Sequence, residues 1–120
     1  MYNEPSKDIL NKFPRYGTKD ILNHPTADVV IHGHFFTSAF DWYVSEFDGK
    51  DTFFGFVNLG DPQNAEWGPF TLSELRELRL PIRININNME ELSSSSALHV
   101  EWDEYWKPKK FGEIQIPGLS

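Results

Sequence analysis

Two histidines flank a single glycine in His32-Gly33-His34. In a strand, residues i and i+2 point to the same face, so both imidazoles can reach one metal ion. A third ligand would come from His24, Asp41 or Glu46. The plainer reading is two polar residues on a half-exposed sheet face. No thiolate can join the histidines, because the chain has no cysteine. The same fact excludes a disulfide scaffold. With no clear third ligand, neither a metal nor another cofactor is expected.

A second group is acidic. Glu46, Asp48, Asp51 and Glu66 can gather oxygens around a hard cation, but the twelve-residue calcium loop is absent. The simpler role for Asp48 and Asp51 is to accept backbone N–H groups in a turn. Because both sit in a turn, reversing them to lysine is expected to leave the fold intact. Glu46 and Glu66 are the candidates for a catalytic carboxylate pair, which would need a separation of about 5–10 Å across a cleft. Ser73 lacks the context of a nucleophile elbow, and no glycine-rich phosphate loop occurs. No catalytic residue is therefore assigned.

Aromatics form the third group. Trp42, Tyr43, Phe53, Phe54, Phe56, Trp67 and Phe70 crowd one segment. On adjacent strands some must face opposite sides. One face makes the core. The other exposes Tyr43, Phe54 or Phe56 beside carboxylates, unless the N-terminal helix or the C-terminal segment covers it. Exposed aromatics with acids suit recognition of a protein. The partner face on this reading comprises Trp42, Tyr43, Glu46, Asp48, Asp51, Phe54, Glu66 and Trp67.

The 120 residues are enough for one domain, and 39% apolar and 15% aromatic content can build a core. The net charge is −7. Between Asp28 and Leu75 lie eight acids and one formal cation, Lys50, so this segment holds the whole net charge. Such a balance argues against direct binding to nucleic acid. It suits either a solvated sheet face or a basic protein partner. No apolar run is long enough to span a membrane, and Met1–Phe13 shows no apolar stretch of a secretory signal, so a cytoplasmic location is expected.

Several elements must position these groups. Ser6 caps a short helix to Phe13, ended by Pro14. Turn formers crowd Arg15–Thr26. Asp28–Thr37 reads as a strand, with Gly33 marking a bulge or close approach. Phe40–Phe47 and Thr52–Leu59 form a hairpin around Asp48-Gly49-Lys50-Asp51. A two-residue loop would oppose Glu46 and Asp51, so a four-residue loop pairing Phe47 with Thr52 is expected. Gly60–Pro69 reads as a loop. Thr71 and Glu74 make a capping box, and Phe70 with Leu75 a hydrophobic staple, for a helix over Thr71–Arg79 that Pro81 stops. Ile82, Ile84 and Ile86 alternate as in a half-buried strand. Asn88–Leu92 is assigned one helical turn, and Ser93–Ser96 a polar linker. A strand ends near Asp103. The single domain is expected to span residues 1–106, with a loose tail over 107–120.

The run from Trp42 through Val57 resembles the signature of the domain-of-unknown-function family DUF 2958. So does Glu66-Trp67-Gly68-Pro69-Phe70-Thr71-Leu72-Ser73-Glu74-Leu75. Leu80-Pro81-Ile82 sits where that family has Leu-Pro-Ile/Val-Glu-Arg-Asp, and Phe13–Thr18 looks like its opening segment. The resemblance covers roughly Ile9 to Ile86. It implies a short bacterial protein of plasmids, phages and integrative elements, and no activity. Arg83-Ile84-Asn85 departs from the pattern and lacks both of its acids.

The fold expected is α+β: an antiparallel sheet of four or five strands, one well-capped helix and a short N-terminal helix. The function expected is a non-catalytic protein-interaction module of mobile-element type, one form being an inhibitor of a basic or nucleic-acid-binding host protein. The alternative is a small hydrolase using a carboxylate pair or a His-x-His metal site.

Overall fold

The hairpin expected around Asp48–Asp51 is the centre of the fold. The computed structural model describes residues 1–17, 26–86 and 89–116, and the backbone alone over 82–96. His24 and the end of the tail lie outside these residues. In chain order the elements are α1 (Lys7–Leu10), β1 (Val30–Ile31), β2 (Gly33–Thr37), β3 (Phe40–Phe47) and β4 (Thr52–Leu59). Then come β5 (Glu66–Thr71), α2 (Leu72–Glu77), β6 (Arg79–Ile86), β7 (Met89–His99), β8 (Glu101–Trp102) and β9 (Lys109–Lys110).

The protein is α+β. Five antiparallel strands pair in the order β5-β4-β3-β2-β8. Two further pairs, β1 with β9 and β6 with β7, are also antiparallel. Among the described residues, no helix is long and apolar enough to cross a membrane.

Hydrophobic pattern decides the hairpin register. Phe47 pairs with Phe53 and Glu46 with Phe54, one step from the pairing expected. This puts Phe47 and Phe53 on one face, their ring centroids 4.6 Å apart. Pairing Phe47 with Thr52 would send Phe53 to the other face. The register shifts between Val44 and Glu46, so Ser45 is the extra residue of a bulge. Val44 and Phe47 can then share one core. Opposite the bulge, a Cβ on Gly55 would overlap the Tyr43 carbonyl oxygen, so only glycine fits. Gly33 marks a close approach, as expected. A Cβ there would lie 2.5 Å from the Trp102 ring.

Two cores result, one on each sheet face. The first gathers Phe35, Trp42, Val44, Phe47, Phe53 and Phe70 from the sheet against Leu10, Phe13, Leu72 and Leu75. The second gathers Ile31, Tyr43, Phe56 and Ile116, with Trp67, Trp106 and Phe111 packed against them. The C-terminal segment covers this face. Residues 107–116, which composition reads as loose, contribute β9 and the buried Ile116.

Helix α2 is tied to the hairpin loop. Its first three N–H groups are all satisfied. Leu72 N donates to the Asp51 carbonyl at 2.8 Å, and Ser73 N to Asp51 Oδ1 at 2.9 Å. Glu74 N donates to Thr71 Oγ1 at 3.1 Å, and Thr71 N returns a bond to Glu74 Oε2. The capping box is therefore present. The helix ends at Glu77, two residues earlier than expected, because Leu78 is already extended. Leu80 precedes Pro81, which disfavours the helical region, and pairs with Leu98.

Three other expectations change. Gly60–Pro69 is a loop only as far as Ala65. Glu66 opens β5, and Pro69 is tolerated because β5 is an edge strand. Met89–Leu92 is strand rather than helical turn, and Ser93–Ser96 also lies in β7. There the ladder with β6 outweighs weak local propensity, with a bulge between the pairs Pro81–Ala97 and Ile82–Ser93.

Thr71→Ala is expected to lower stability by about 1 kcal/mol. Asp51→Ala removes bonds to both Ser73 N and Ser73 Oγ and is expected to cost about 1.5–3 kcal/mol. Urea denaturation measures both. A smaller loss at Asp51 than at Thr71 would contradict the double role of Asp51.

Candidate functional site

His34 sits at the centre of a cluster of three aromatic rings and two carboxylates. It pairs across the sheet with Tyr43, and their rings stack at 4.8 Å. Phe36, two residues on, stacks at 5.5 Å, and Trp106 lies at 5.2 Å. Its Nε2 meets Asp41 Oδ1 at 2.8 Å and its Nδ1 meets Asp103 Oδ2 at 3.1 Å. Each ring nitrogen thus faces a carboxylate from a different strand or loop. Asp103 is itself anchored: its N–H donates to the His34 carbonyl at 2.9 Å, and its Oδ1 accepts from Tyr105 N at 3.1 Å.

This arrangement ties β2 to β3 and to the segment after β8. The His34 side chain is only 12% exposed, and both ring nitrogens are engaged. Neither offers a lone pair to a substrate unless one bond breaks first. Nor does the cluster hold a metal ion. The carboxylates approach opposite nitrogens, whereas metal ligands converge on one point at about 2.0–2.2 Å. Among the described residues, no group of three or more His, Asp or Glu is arranged for a metal.

The pairing of His32 with His34 on one face is corrected. The chain leaves the strand at His32, between β1 and β2. His32 lies 6.5 Å from Phe13, beside the first core, while His34 lies over the second. The alternation that would unite them holds only in unbroken strand.

Glu46 and Glu66 are also separated. Glu46 is buried, and its Oε2 accepts from Gly17 N at 3.1 Å. It pairs with Phe54, whose ring stacks with Trp67 of the second core. Glu66 is exposed and pairs with Val57, which packs against the first core. Cross-strand partners share a face, so the two carboxylates lie on opposite sides of the sheet.

The hairpin acids are internal ligands of the backbone. Asp48 Oδ1 accepts from Lys50 N at 2.7 Å, Asp51 N at 2.9 Å and Thr52 N at 3.0 Å. Desolvation pushes the Asp48 carboxyl up, but these three N–H groups outweigh it and hold the carboxyl below its ordinary value. Asp51 caps α2. Reversing both to lysine would therefore disrupt the turn and the helix start, contrary to the sequence expectation.

Of the other residues assigned to a partner face, Trp42 and Tyr43 are buried in opposite cores. Glu46 is buried as well. Phe54 and Trp67 are half-buried, and Glu66 is exposed. Glu66 borders a pocket of about 350 Å³ that no sequence motif marks. Val57, Leu59 and Pro69 give it apolar walls, and Asp61 adds a second carboxylate. Asp61 accepts from Gln63 N and from Asn64 Nδ2. Glu66 has no hydrogen bond or ion pair among the described residues. Asp103, likewise, was unmarked by sequence, since it meets His34 only through the fold.

Burial, then the nearby Asp41 charge, pushes the Tyr43 phenol up to about 12 from 10.0. A raised folded value stabilises the fold fully below the unfolded value, and that share is lost as pH rises through the folded one. Stability is expected to fall between about pH 10 and about pH 12, and Tyr43→Phe to remove that part of the slope. Denaturation midpoints across this window check it. An unchanged slope in the variant would contradict the assignment.

No curated protein and no solved structure matches the chain. Residues 19–103 match the family described as "Protein of unknown function (DUF2958)". The matched run starts after the Phe13–Thr18 segment and continues past Ile86. It contains His34, Asp41 and Asp103, and with them the carboxylate brace. The match covers more than half of the chain, and the protein belongs to the DUF2958 family.

Proposed function

We propose that the protein is a non-catalytic binding module that engages a basic protein through the outer edge of β4 and β5. The observation that carries this reading is Glu66: an exposed carboxylate, without a partner among the described residues, beside the apolar walls of a pocket. A lysine or arginine has the matching form, an apolar stem ending in a cation. Leu59 is 55% exposed at the same place, an apolar surface that a partner would cover.

The surrounding charge supports the reading. The segment Asp28–Leu75 carries the whole net charge of the chain. Asp48, Asp51 and Glu46 spend their carboxylates on backbone groups, while Glu66 is held back for a partner. An acidic surface steers a basic partner and repels nucleic acid. One form of the activity is inhibition of a nucleic-acid-binding protein, with carboxylates standing where phosphates would lie. The setting we propose is the cytoplasm of a bacterial cell carrying a mobile element. The enzyme alternative gains no support, since its carboxylates lie on opposite faces and its histidines on opposite sides.

Pull-down from the source cell, with mass spectrometry, is expected to recover a basic protein at low salt and lose it at high salt. Glu66→Lys is expected to abolish recovery with an unchanged circular dichroism spectrum. Recovery that survives both salt and the substitution would contradict the proposal.

A further inference from the structure

A second cleft, of about 500 Å³, lies between the N-terminal segment and the hairpin tip. Its charge is opposite to that of the rest of the molecule. The chain has eleven Lys and Arg against eighteen Asp and Glu, yet Lys7, Lys50 and Arg76 all line this cleft. Lys50 is the one cation between Asp28 and Leu75. The Arg15 guanidinium lies against Gly49 at the same rim. The one acid in the lining is Glu4, and it is held by Arg76, whose Nε and Nη2 donate to its two carboxylate oxygens. Lys7 and Lys50 make no ion pair among the described residues. Beneath them Leu10, Phe47 and Leu72 supply an apolar floor.

We propose that this cleft binds a small anion with an apolar body, such as an acyl or aryl carboxylate or phosphate. Each lysine ammonium brings three donors on a flexible stem and can close onto an anionic head from one side of the cleft. Bonds from an ammonium to a carboxylate or phosphate oxygen are charge-assisted and stronger than neutral ones. The Glu4–Arg76 pair forms a fixed wall, so the positive charge left in the lining belongs to Lys7 and to Lys50, the latter beside the Asp48 carboxylate. The floor then selects for the apolar body, and the volume suits a small molecule rather than a polymer. This site is separate from the β4–β5 edge, and its ligand carries the opposite charge to the partner proposed there.

The test is a titration of the full chain followed by amide chemical shifts. Octanoate and octyl phosphate are the probes, with acetate and octylammonium as controls. Both probes are expected to move the amides of Lys7, Gly49 and Lys50, and the tighter of them identifies the head group. Acetate is expected to bind at least about tenfold more weakly, and octylammonium to leave these amides in place. The double variant Lys7→Gln/Lys50→Gln is expected to weaken octanoate binding at least about tenfold with an unchanged melting curve, and each single variant to weaken it partly. The proposal is overturned if neither probe moves these amides, or if octylammonium moves them as well. It is equally overturned if acetate binds as tightly as octanoate, or if the lysine variants bind like the wild type.

Discussion

Trp42 and Tyr43 are neighbours in the chain, and both are buried, on opposite faces of one sheet. That is the constraint on which the rest of the structure depends. A sheet whose central strands carry large aromatics on both faces cannot leave either face in water. Burying one such ring is worth roughly 1.5–3 kcal/mol. The chain meets the demand asymmetrically. Regular elements, α1 and α2, cover the first face. The C-terminal stretch from Trp106 to Ile116, with β9 as its one strand, covers the second, docked by Trp106 Nε1 on the Ile31 carbonyl at 3.0 Å and by Phe111 N on the Val29 carbonyl at 2.8 Å. His34 holds the root of that cover, because Asp103 is bound by its ring and by its backbone.

The same demand explains where the acids go. Glu46, Asp48 and Asp51 cluster at the hairpin end, which from composition looks like a single negative face. Each instead accepts backbone N–H groups: Glu46 from the segment that crosses the hairpin end, Asp48 from its own turn, Asp51 from the start of α2. They fix the geometry of the turn against both cores. Among the described residues the acid without a hydrogen-bond partner lies further along the sheet, at Glu66, and Lys7 and Lys50, which make no ion pair among those residues, lie behind the turn. The two binding surfaces we propose, of opposite sign, are thus separated by a turn whose own acids are internally satisfied.

What was legible in the sequence was local. The strands Phe40–Phe47 and Thr52–Leu59 have the bounds read from their aromatic runs and the Asp-Gly between them. The Thr71/Glu74 box needs only residues three apart. What escaped was set by distant partners. The register depends on which core Phe53 enters, and the bulge at Ser45 answers to Gly55 on the next strand. Gly68 and Pro69 made β5 read as a loop, because edge position, invisible in sequence, is what permits them. The serines of β7 are extended because β6 pairs with them. At the candidate site, Asp41 entered the sequence reading only as one of three possible third ligands for His32 and His34, and Asp103 is 69 residues from His34, where no spacing rule joins them. The interruption of the strand at His32 also reversed the meaning of the His-x-His motif.

The central claim is that the second aromatic face is closed by the C-terminal stretch, rooted at the His34 brace. Native-state hydrogen exchange at the Trp106 indole N–H and the Phe111 amide tests it most directly. Both donate to backbone carbonyls of the β1 region and should be protected close to the global unfolding limit. In His34→Ala, which leaves both donors and acceptors in place, their protection should fall before that of β3 and β4 amides does. Exchange of these two protons at the rate of an unfolded chain in the wild-type protein would contradict the account.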